Sequence, residues 1–197
     1  MISSLDGRSL VNEPLRSFIA FDISSPQVLR NISNVQRALI TTGADLKIVE
    51  PQNIHVTLKF LGDISLTHVD SIHNIMKSIP IKTFDIELRG LGVFPSFSKI
   101  NIVWIGVTRG RDELAKVAES LEGGLKALGF PKEERDFNCH LTIMRLKSSR
   151  NKEALVSEVE KFSDFEFGVV KANSLRLKKS VLTSQGPTYS TLREVDL

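Results

Sequence analysis

A short histidine motif occurs twice in this chain of 197 residues, each time inside a segment of alternating apolar residues. The first copy, residues 55–58, reads HVTL, and the second copy, residues 140–143, reads HLTI. Their offset of about 85 residues is longer than the period of a solenoid, so it predicts two similar lobes rather than an array of repeats. Both copies must therefore fit one duplicated architecture.

The same order of elements is predicted in each half: strand, helix, strand, helix, strand. Strands are recognised by apolar residues at every second position, and helices by apolar residues three or four positions apart. The predicted strands are 17–23, 53–61 and 84–88 in the first half and 100–107, 138–146 and 165–170 in the second. The predicted helices are 26–43, 65–80, 111–128 and 154–162. A hairpin of residues 175–183 and 188–195 follows the second half.

The pattern predicts an α+β fold of two pseudo-symmetric β-α-β-α-β lobes, whose mostly antiparallel sheets face a central cleft. We expect residues 1–14 to form a flexible leader. Residues 15–197 are expected to form a single two-lobed domain, with halves of approximately 15–95 and 96–197.

Composition narrows the class of protein. Hydrophobic residues make up 41% and charged residues 25% of the chain, which is typical of an ordinary globular protein. The single cysteine, Cys139, excludes an intramolecular disulfide framework and a CxxC zinc site, and it favours a reducing, cytoplasmic location. No apolar run approaches the roughly 18 residues of a transmembrane helix, so no membrane partner is expected. The net charge of +3 is compatible with a polyanionic partner without requiring one.

Strand geometry predicts how each motif presents its side chains. Successive side chains of a strand point to opposite faces, so His55 and Thr57 share one face while Val56, Leu58 and Phe60 point into the core. The aromatic residues Phe18, Phe21 and Trp104 are likewise expected in the core.

The second motif repeats this arrangement, with His140 and Thr142 on one face. If the lobes pack about a pseudo-twofold axis, the two histidines and two threonines meet in one cleft. A pair of facing imidazoles, each with an ordinary pKa near 6.5, suits acid–base catalysis. One accepts a proton from an attacking water or hydroxyl, and the other protonates the departing oxygen of a phosphodiester. In-line attack then requires reactive nitrogens roughly 5–8 Å apart, with threonine hydroxyls donating to non-bridging oxygens.

Several segments together carry a family resemblance. The pattern resembles the two-histidine phosphoesterase superfamily and, within it, the RNA 2′,3′-cyclic phosphodiesterases, also called 2′-5′ RNA ligases or the LigT-like family. The resemblance covers residues 16 to about 195. Its segments are 16–21 (RSFIAF), 55–62 (HVTLKFLG), 92–95 (GVFP), 103–107 (VWIGV), 140–145 (HLTIMR) and 186–192 (GPTYSTL).

The resemblance implies catalytic histidines, His55 and His140, in a central basic cleft. It also implies hydrolysis of RNA 2′,3′-cyclic phosphate ends, including those of tRNA fragments, to 2′-phosphates, together with reversible 2′-5′ RNA ligation. Neither a metal nor another cofactor is implied, and we expect a monomer. Members of the family differ in which histidine is the acid and which is the base; of the two alternatives, we prefer His140 as the base and His55 as the acid.

The family also places an arginine, matching Arg145, beside the phosphate. Strict alternation puts Arg145 on the face opposite His140, so this role requires a β-bulge or a strand end near Met144. The sequence departs from the family at Asn138 and Cys139, because a proline commonly precedes the second histidine there.

Other interpretations remain open. The cleft can instead capture RNA ends without chemistry, although arginine and lysine serve simple phosphate binding better than a group that is neutral at pH 7. A small cyclic nucleotide or an ADP-ribose cyclic phosphate is an alternative substrate. Zinc binding by the motif histidines lacks nearby Cys, Asp or Glu at ligand spacing. We interpret His68 and His73 as structural, and Cys139 as a buried filler.

Overall fold

The computed structural model describes residues 14–133, 137–184 and 186–197. The predicted leader therefore lies outside the described residues except for Pro14, and so does Gln185 of the final turn. The strands are β1 (Leu15–Asp22), β2 (Leu46–Ile48), β3 (His55–Ile64), β4 (Phe84–Ser96), β5 (Lys99–Val107), β6 (His140–Leu146), β7 (Glu166–Ala172), β8 (Ser174–Thr183) and β9 (Gly186–Asp196). The helices are α1 (Pro26–Ile40), α2 (Leu66–Ser78), α3 (Arg111–Lys126) and α4 (Lys152–Lys161), with a short 3-10 helix at Pro51–Asn53.

This element order confirms the α+β class and the repeated strand-helix-strand-helix-strand pattern, followed by the predicted hairpin. The described strands form one nine-stranded sheet in the order β7-β4-β5-β6-β3-β1-β8-β9, and β2 pairs with the edge of β6. Within the described ranges, every pair of neighbouring strands is antiparallel.

The two sides of the sheet draw strands from both halves of the sequence. Strand β4 belongs to the first half, but it pairs with β5 and β7 of the second half. Strand β8 belongs to the second half, but it pairs with β1. Strands β4 and β5 are joined by a short turn and pair with each other as a hairpin. The boundary that we expected near residue 95 therefore falls inside this hairpin.

The helices also pack in pairs that combine one helix from each half of the sequence. Helices α1 and α4 contact each other and the β4, β6 and β7 side, whereas α2 and α3 contact each other and the β3 and β9 side. Helix α1 begins where the Ser25 hydroxyl accepts a hydrogen bond from the backbone N–H of Val28, with Pro26 in its first turn. In α3, the bare Cα of Gly124 allows close packing on Ile75 of α2, because a Cβ there would lie 2.6 Å from Ile75 Cγ2.

The largest differences from the sequence prediction concern three strands. Strand β3 continues to Ile64, β4 continues to Ser96, and the three-residue β2 was not predicted. The described part of the chain contains no helix long and apolar enough to cross a membrane.

Candidate active site

The two motif strands meet at one residue pair. Val56 of β3 lies opposite Leu141 of β6, and we call this pair the seam. In antiparallel register, His55 then stands opposite Thr142, and Thr57 opposite His140. The two histidines are therefore diagonal neighbours, a relationship that separates Cα atoms by about 7–8 Å in an ideal antiparallel sheet.

We call the sheet surface that carries His55, Thr57, His140 and Thr142 the histidine face. All four residues are half-buried, whereas Val56 and Leu141 between them are fully buried on the opposite face. The alternation predicted for both motifs thus holds up to the threonines.

Beyond each threonine, a one-residue β-bulge changes the alternation. Leu58 has no partner on β1, since Thr57 pairs with Ala20 and Lys59 pairs with Ile19. As a result, Lys59 turns into the interior and Phe60 returns to the histidine face. The expectation that Phe60 points into the core is wrong, because its side chain is 64% exposed.

The second motif has the matching bulge at Ile143, which lies between the pairs Thr142–Trp104 and Met144–Val103. The side chain of Gln36 on α1 donates to the carbonyl oxygen of Ile143 at 2.9 Å, which supports the irregular backbone. The bulge required near Met144 is therefore present, and Arg145 lies exposed on the histidine face.

Both histidines are oriented in the same way by the backbone. His55 Nδ1 lies 2.6 Å from the carbonyl oxygen of Asn53, and His140 Nδ1 lies 2.7 Å from that of Asn138. A carbonyl can only accept, so each Nδ1 carries the hydrogen and Nε2 is left for the reaction. Neutral imidazoles held this way can accept a proton at Nε2 and, once protonated, can return one.

His55 lies in an aromatic pocket. Its ring centroid is 4.9 Å from that of Phe18 and 5.3 Å from that of Tyr189, whose ring is perpendicular to it. Burial lowers the pKa of His55 from 6.5 to about 4, and the charge of Lys178 acts in the same direction. His55 is therefore neutral at pH 7 in the free protein.

His140 lies in a second, more open aromatic setting. The ring of Phe94 meets it edge-on at 4.9 Å, and the ring of Trp104 lies 6.3 Å away. Burial also lowers the pKa of His140, and the positive charge of Arg145 contributes to the shift. The hydrogen bond from His140 to Asn138 is exposed to solvent, whereas the bond from His55 to Asn53 is partly buried.

A charged cluster flanks the His55 side. Asp22 pairs with His55 across β1 and β3, and its carboxylate accepts hydrogen bonds from Lys178 at 2.5 and 2.7 Å and from Arg176 at 2.8 Å. Lys178 is only 4% exposed, so its charge depends on Asp22 for compensation.

The remaining sequence-based assignments can be compared with the structure. Cys139 is buried, and burial raises its pKa to about 12, in agreement with a filler role. His68 contacts the Ser65 cap of α2, and His73 lies 3.2 Å from the carbonyl of Glu194, so both make structural contacts. Within residues 14–133, 137–184 and 186–197, no group of three or more His, Cys, Asp or Glu side chains is placed to hold a metal ion.

The sequence analysis missed the contacts that Tyr189, Phe94 and Asp22 make around the histidines. The segments 92–95 and 186–192 contain two of these residues and belong to the family resemblance, so that resemblance was the available signal. Phe18 and Phe21 are buried as predicted, and Phe18 in addition contacts the His55 ring.

Solved structures share this fold. The apo crystal structure of Escherichia coli LigT matches with a TM-score of 0.75 and 21% identity, covering 94% of this chain and 98% of that one. The crystal structure of TT0787 from Thermus thermophilus matches with a TM-score of 0.77 and 22% identity, covering 93% and 98%. These matches define the class of protein by its fold, the LigT-like fold, and in this chain that fold carries two histidines on one face.

Sequence comparison identifies the family within this class. The family model described as the AKAP7 2′5′ RNA ligase-like domain matches residues 17–197, and the chain belongs to this family. A protein of Aeropyrum pernix named RNA 2′,3′-cyclic phosphodiesterase is 40% identical over 164 residues, covering 83% of this chain and 93% of that protein. A protein of the same name from Methanocaldococcus jannaschii is 36% identical over 181 residues, covering 91% and 99%.

Proposed function

We propose that the chain is an RNA 2′,3′-cyclic phosphodiesterase that opens the cyclic phosphate at an RNA end to a 2′-phosphate. The single observation that carries the proposal is the diagonal placement of His55 and His140 on one face, each with Nε2 left available. Relatives at 36–40% identity bear this enzyme's name, which supports the same reaction for this chain.

The cyclic phosphate is proposed to bind over the seam. Thr57 and Thr142 flank the histidines and donate their hydroxyl hydrogens to non-bridging phosphate oxygens. Arg145 supplies a positive charge for the oxygens as negative charge develops in the transition state. These roles use residues that already lie on the histidine face, so the phosphate needs no rearrangement of the strands.

We assign the base role to His140 because it is the more solvent-exposed of the two and can hold an attacking water. The water oxygen bonds to phosphorus while its proton passes to His140 Nε2. The bond from phosphorus to O3′ breaks, and Nε2–H of a protonated His55 gives its proton to O3′. The products are a 2′-phosphate and a free 3′-hydroxyl.

A buried histidine acts as the acid only if the substrate raises its pKa. The phosphodiester anion does this, since a negative charge beside an imidazole favours the protonated form, and the effect is largest in a low-dielectric site. His55 is the more buried histidine and therefore responds more strongly to the bound anion.

The same geometry accounts for 2′-5′ ligation. A 5′-hydroxyl of a second RNA takes the place of water, loses its proton to His140 and forms the new phosphodiester, while O3′ leaves as before. Hydrolysis and ligation then differ only in the nucleophile.

The test is to incubate the protein, in EDTA, with an oligonucleotide ending in a 2′,3′-cyclic phosphate and to identify the product by mass and phosphatase mapping. We expect a 2′-phosphate, with kcat lowered roughly 10²–10⁴-fold in His55→Ala and in His140→Ala. His73→Ala is the matched control, because His73 lies on α2 away from the motifs. Formation of a 3′-phosphate, full activity in either motif variant, or complete loss of activity in EDTA would contradict the proposal.

A further inference from the structure

Asn53 accepts one hydrogen bond from His55 and donates another to the β8–β9 hairpin. Its carbonyl oxygen accepts from Nδ1 of His55 at 2.6 Å, and its side-chain Nδ2 donates to the carbonyl oxygen of Pro187 at 3.1 Å. Pro187 lies near the start of β9, in the β8–β9 hairpin. One residue thus joins the first histidine to the hairpin at the end of the chain.

The hairpin covers His55 with an aromatic ring. Tyr189 lies two residues beyond Pro187 on β9, and its ring packs edge-on against His55 at 5.3 Å and against Phe18 at 5.0 Å. The burial of His55 therefore depends on where this end of β9 lies.

The tip of the hairpin also lies close to the Lys47 side chain of β2. A Cβ built at Gly186 would lie 2.9 Å from Nζ of Lys47 on β2, and Lys47 pairs with Arg145 of β6. The tip of the hairpin therefore contacts the Lys47 side chain of β2, and β2 in turn pairs with the strand that carries the second motif.

The second motif offers a natural comparison. Asn138 holds the same position before His140 and accepts from its Nδ1 in the same way. Within the described ranges, the Asn138 side chain makes no hydrogen bond, so it has no counterpart of the contact to Pro187. Among the described residues, the side-chain hydrogen bond to the hairpin is therefore made by Asn53 and has no equivalent at Asn138.

We infer that Asn53 is a positioning residue that couples the seating of the β8–β9 hairpin, and with it Tyr189, to the orientation of His55. The inference rests on the proposed function for its effect on turnover, but the link itself is structural. Tyr189 shields His55 while the Asn53 side chain is bonded to Pro187, and releasing this bond exposes the imidazole to water.

The experiment uses Tyr189 as a probe, since it is the single tyrosine of the chain. The protein is labelled with 3-fluorotyrosine, which gives one fluorine NMR signal. The variants are Asn53→Ala, which keeps the backbone carbonyl, and Asn53→Asp, which keeps the size but cannot donate to Pro187. Asn138→Ala is the matched control.

We expect the fluorine signal in both Asn53 variants to move towards its position in the unfolded protein, with no change in Asn138→Ala. The NMR titration midpoint of His55 rises from about 4 towards 6.5 in Asn53→Ala. The charged and titratable groups that act on His55, namely Asp22, Lys178 and His140, are unchanged in Asn53→Ala. Asn53→Asp adds a carboxylate near the imidazole, which by itself raises the pKa of His55, so this variant is used for the fluorine signal only. We further expect kcat/KM to fall roughly tenfold in Asn53→Ala, about the effect of one lost hydrogen bond to a positioned group.

An unchanged fluorine signal in both Asn53 variants, or an equal shift in Asn138→Ala, would overturn the inference. Fluorescence of the single tryptophan, Trp104, reports whether each variant remains folded on the His140 side. The NMR measurements need no substrate. If the wild-type protein fails to open cyclic phosphates, the proposed function is lost, while the link from Asn53 to the hairpin is still decided by the fluorine signal.

Discussion

Phe60 and Arg145 occupy equivalent places in the two halves of the chain, each on the histidine face just beyond a one-residue bulge. One half thus presents an exposed aromatic ring where the other presents a guanidinium group. An RNA end has both a charged phosphate and a flat apolar base. The difference between the two positions gives the histidine face a direction, and under the proposed function we expect the phosphate towards Arg145 and the base towards Phe60.

Arg145→Ala is expected to lower kcat/KM for a cyclic phosphate end by about 10- to 100-fold, the usual value of a charge-assisted hydrogen bond to phosphate. Arg145→Lys keeps the charge but loses the bidentate geometry, so it should recover part of the loss. Steady-state kinetics on both variants tests this. Equal kinetics for Arg145→Ala and the wild-type protein would remove Arg145 from the phosphate site.

Phe60→Ala is expected to raise KM by roughly fivefold or more, because stacking of a base on an aromatic ring contributes about 1–3 kcal/mol. The discriminating substrate is an oligonucleotide whose terminal cyclic phosphate sits on an abasic ribose. Its KM should be the same for the variant and the wild-type protein. If both substrates lose affinity equally, Phe60 acts through the shape of the site rather than through the base.

The lowered pKa of His55 predicts that acid destabilises the fold. The contribution of His55 to the free energy of unfolding is greatest above pH 6.5, where His55 is neutral in both states. As pH falls from 6.5 to about 4, the unfolded state binds the proton first, so His55 contributes a loss of about 3 kcal/mol that levels off below pH 4. Urea unfolding across this range measures the loss. The variant His55→Gln has no titrating group at this position, so its free energy of unfolding should decline less over the same pH range. Identical pH profiles for the variant and the wild-type protein would contradict the lowered pKa of His55.

Asp22→Ala is expected to reduce stability by about 3–5 kcal/mol, because it leaves the buried Lys178 ammonium without its partner. Adding Lys178→Met removes the unpaired charge and should restore most of the loss. Denaturant unfolding of the single and double variants gives the coupling between the two side chains. Additive losses in the double variant would show that the pair is not the source of the effect.

Gly92→Ala should displace the indole of Trp104, since a Cβ at Gly92 would lie 2.2 Å from an atom of that ring. We expect a change in the fluorescence of this single tryptophan and a loss of stability. Gly123→Ala is the matched control, because a Cβ there meets nothing within 4 Å in the helix interior. The control should gain up to about 1 kcal/mol from helix propensity and leave the fluorescence unchanged.

Apolar periodicity was sufficient to predict the order of the main strands and helices. It failed where the backbone is irregular. Phe60 was placed in the core because strict alternation continues through Leu58, whereas the bulge there reverses it. The matching bulge at Ile143 is supported by Gln36, which is 107 residues away in sequence, and no local pattern reports such a contact.

The surroundings of the histidines depend equally on distant contacts. Tyr189 packs against His55 from a hairpin in which the carbonyl oxygen of Pro187 accepts a hydrogen bond from Asn53, 134 residues earlier. Periodicity in the hairpin indicates two strands but contains no information about which part of the molecule they cover. The short β2 was missed because its three residues are only half-buried and too few to show alternation.

The exchange of strands between the two halves has a consequence for how the enzyme can be divided. A cut in the exposed turn at Phe97 and Ser98 would leave β4 without β5 and β7 on one fragment, and would leave β8 with β9 but without β1 on the other. Each fragment would carry one of the motif histidines and a set of unsatisfied strand edges that only the other fragment can cover. The two pieces should be inert when separate and regain turnover on mixing, which makes this turn a natural place for a split reporter.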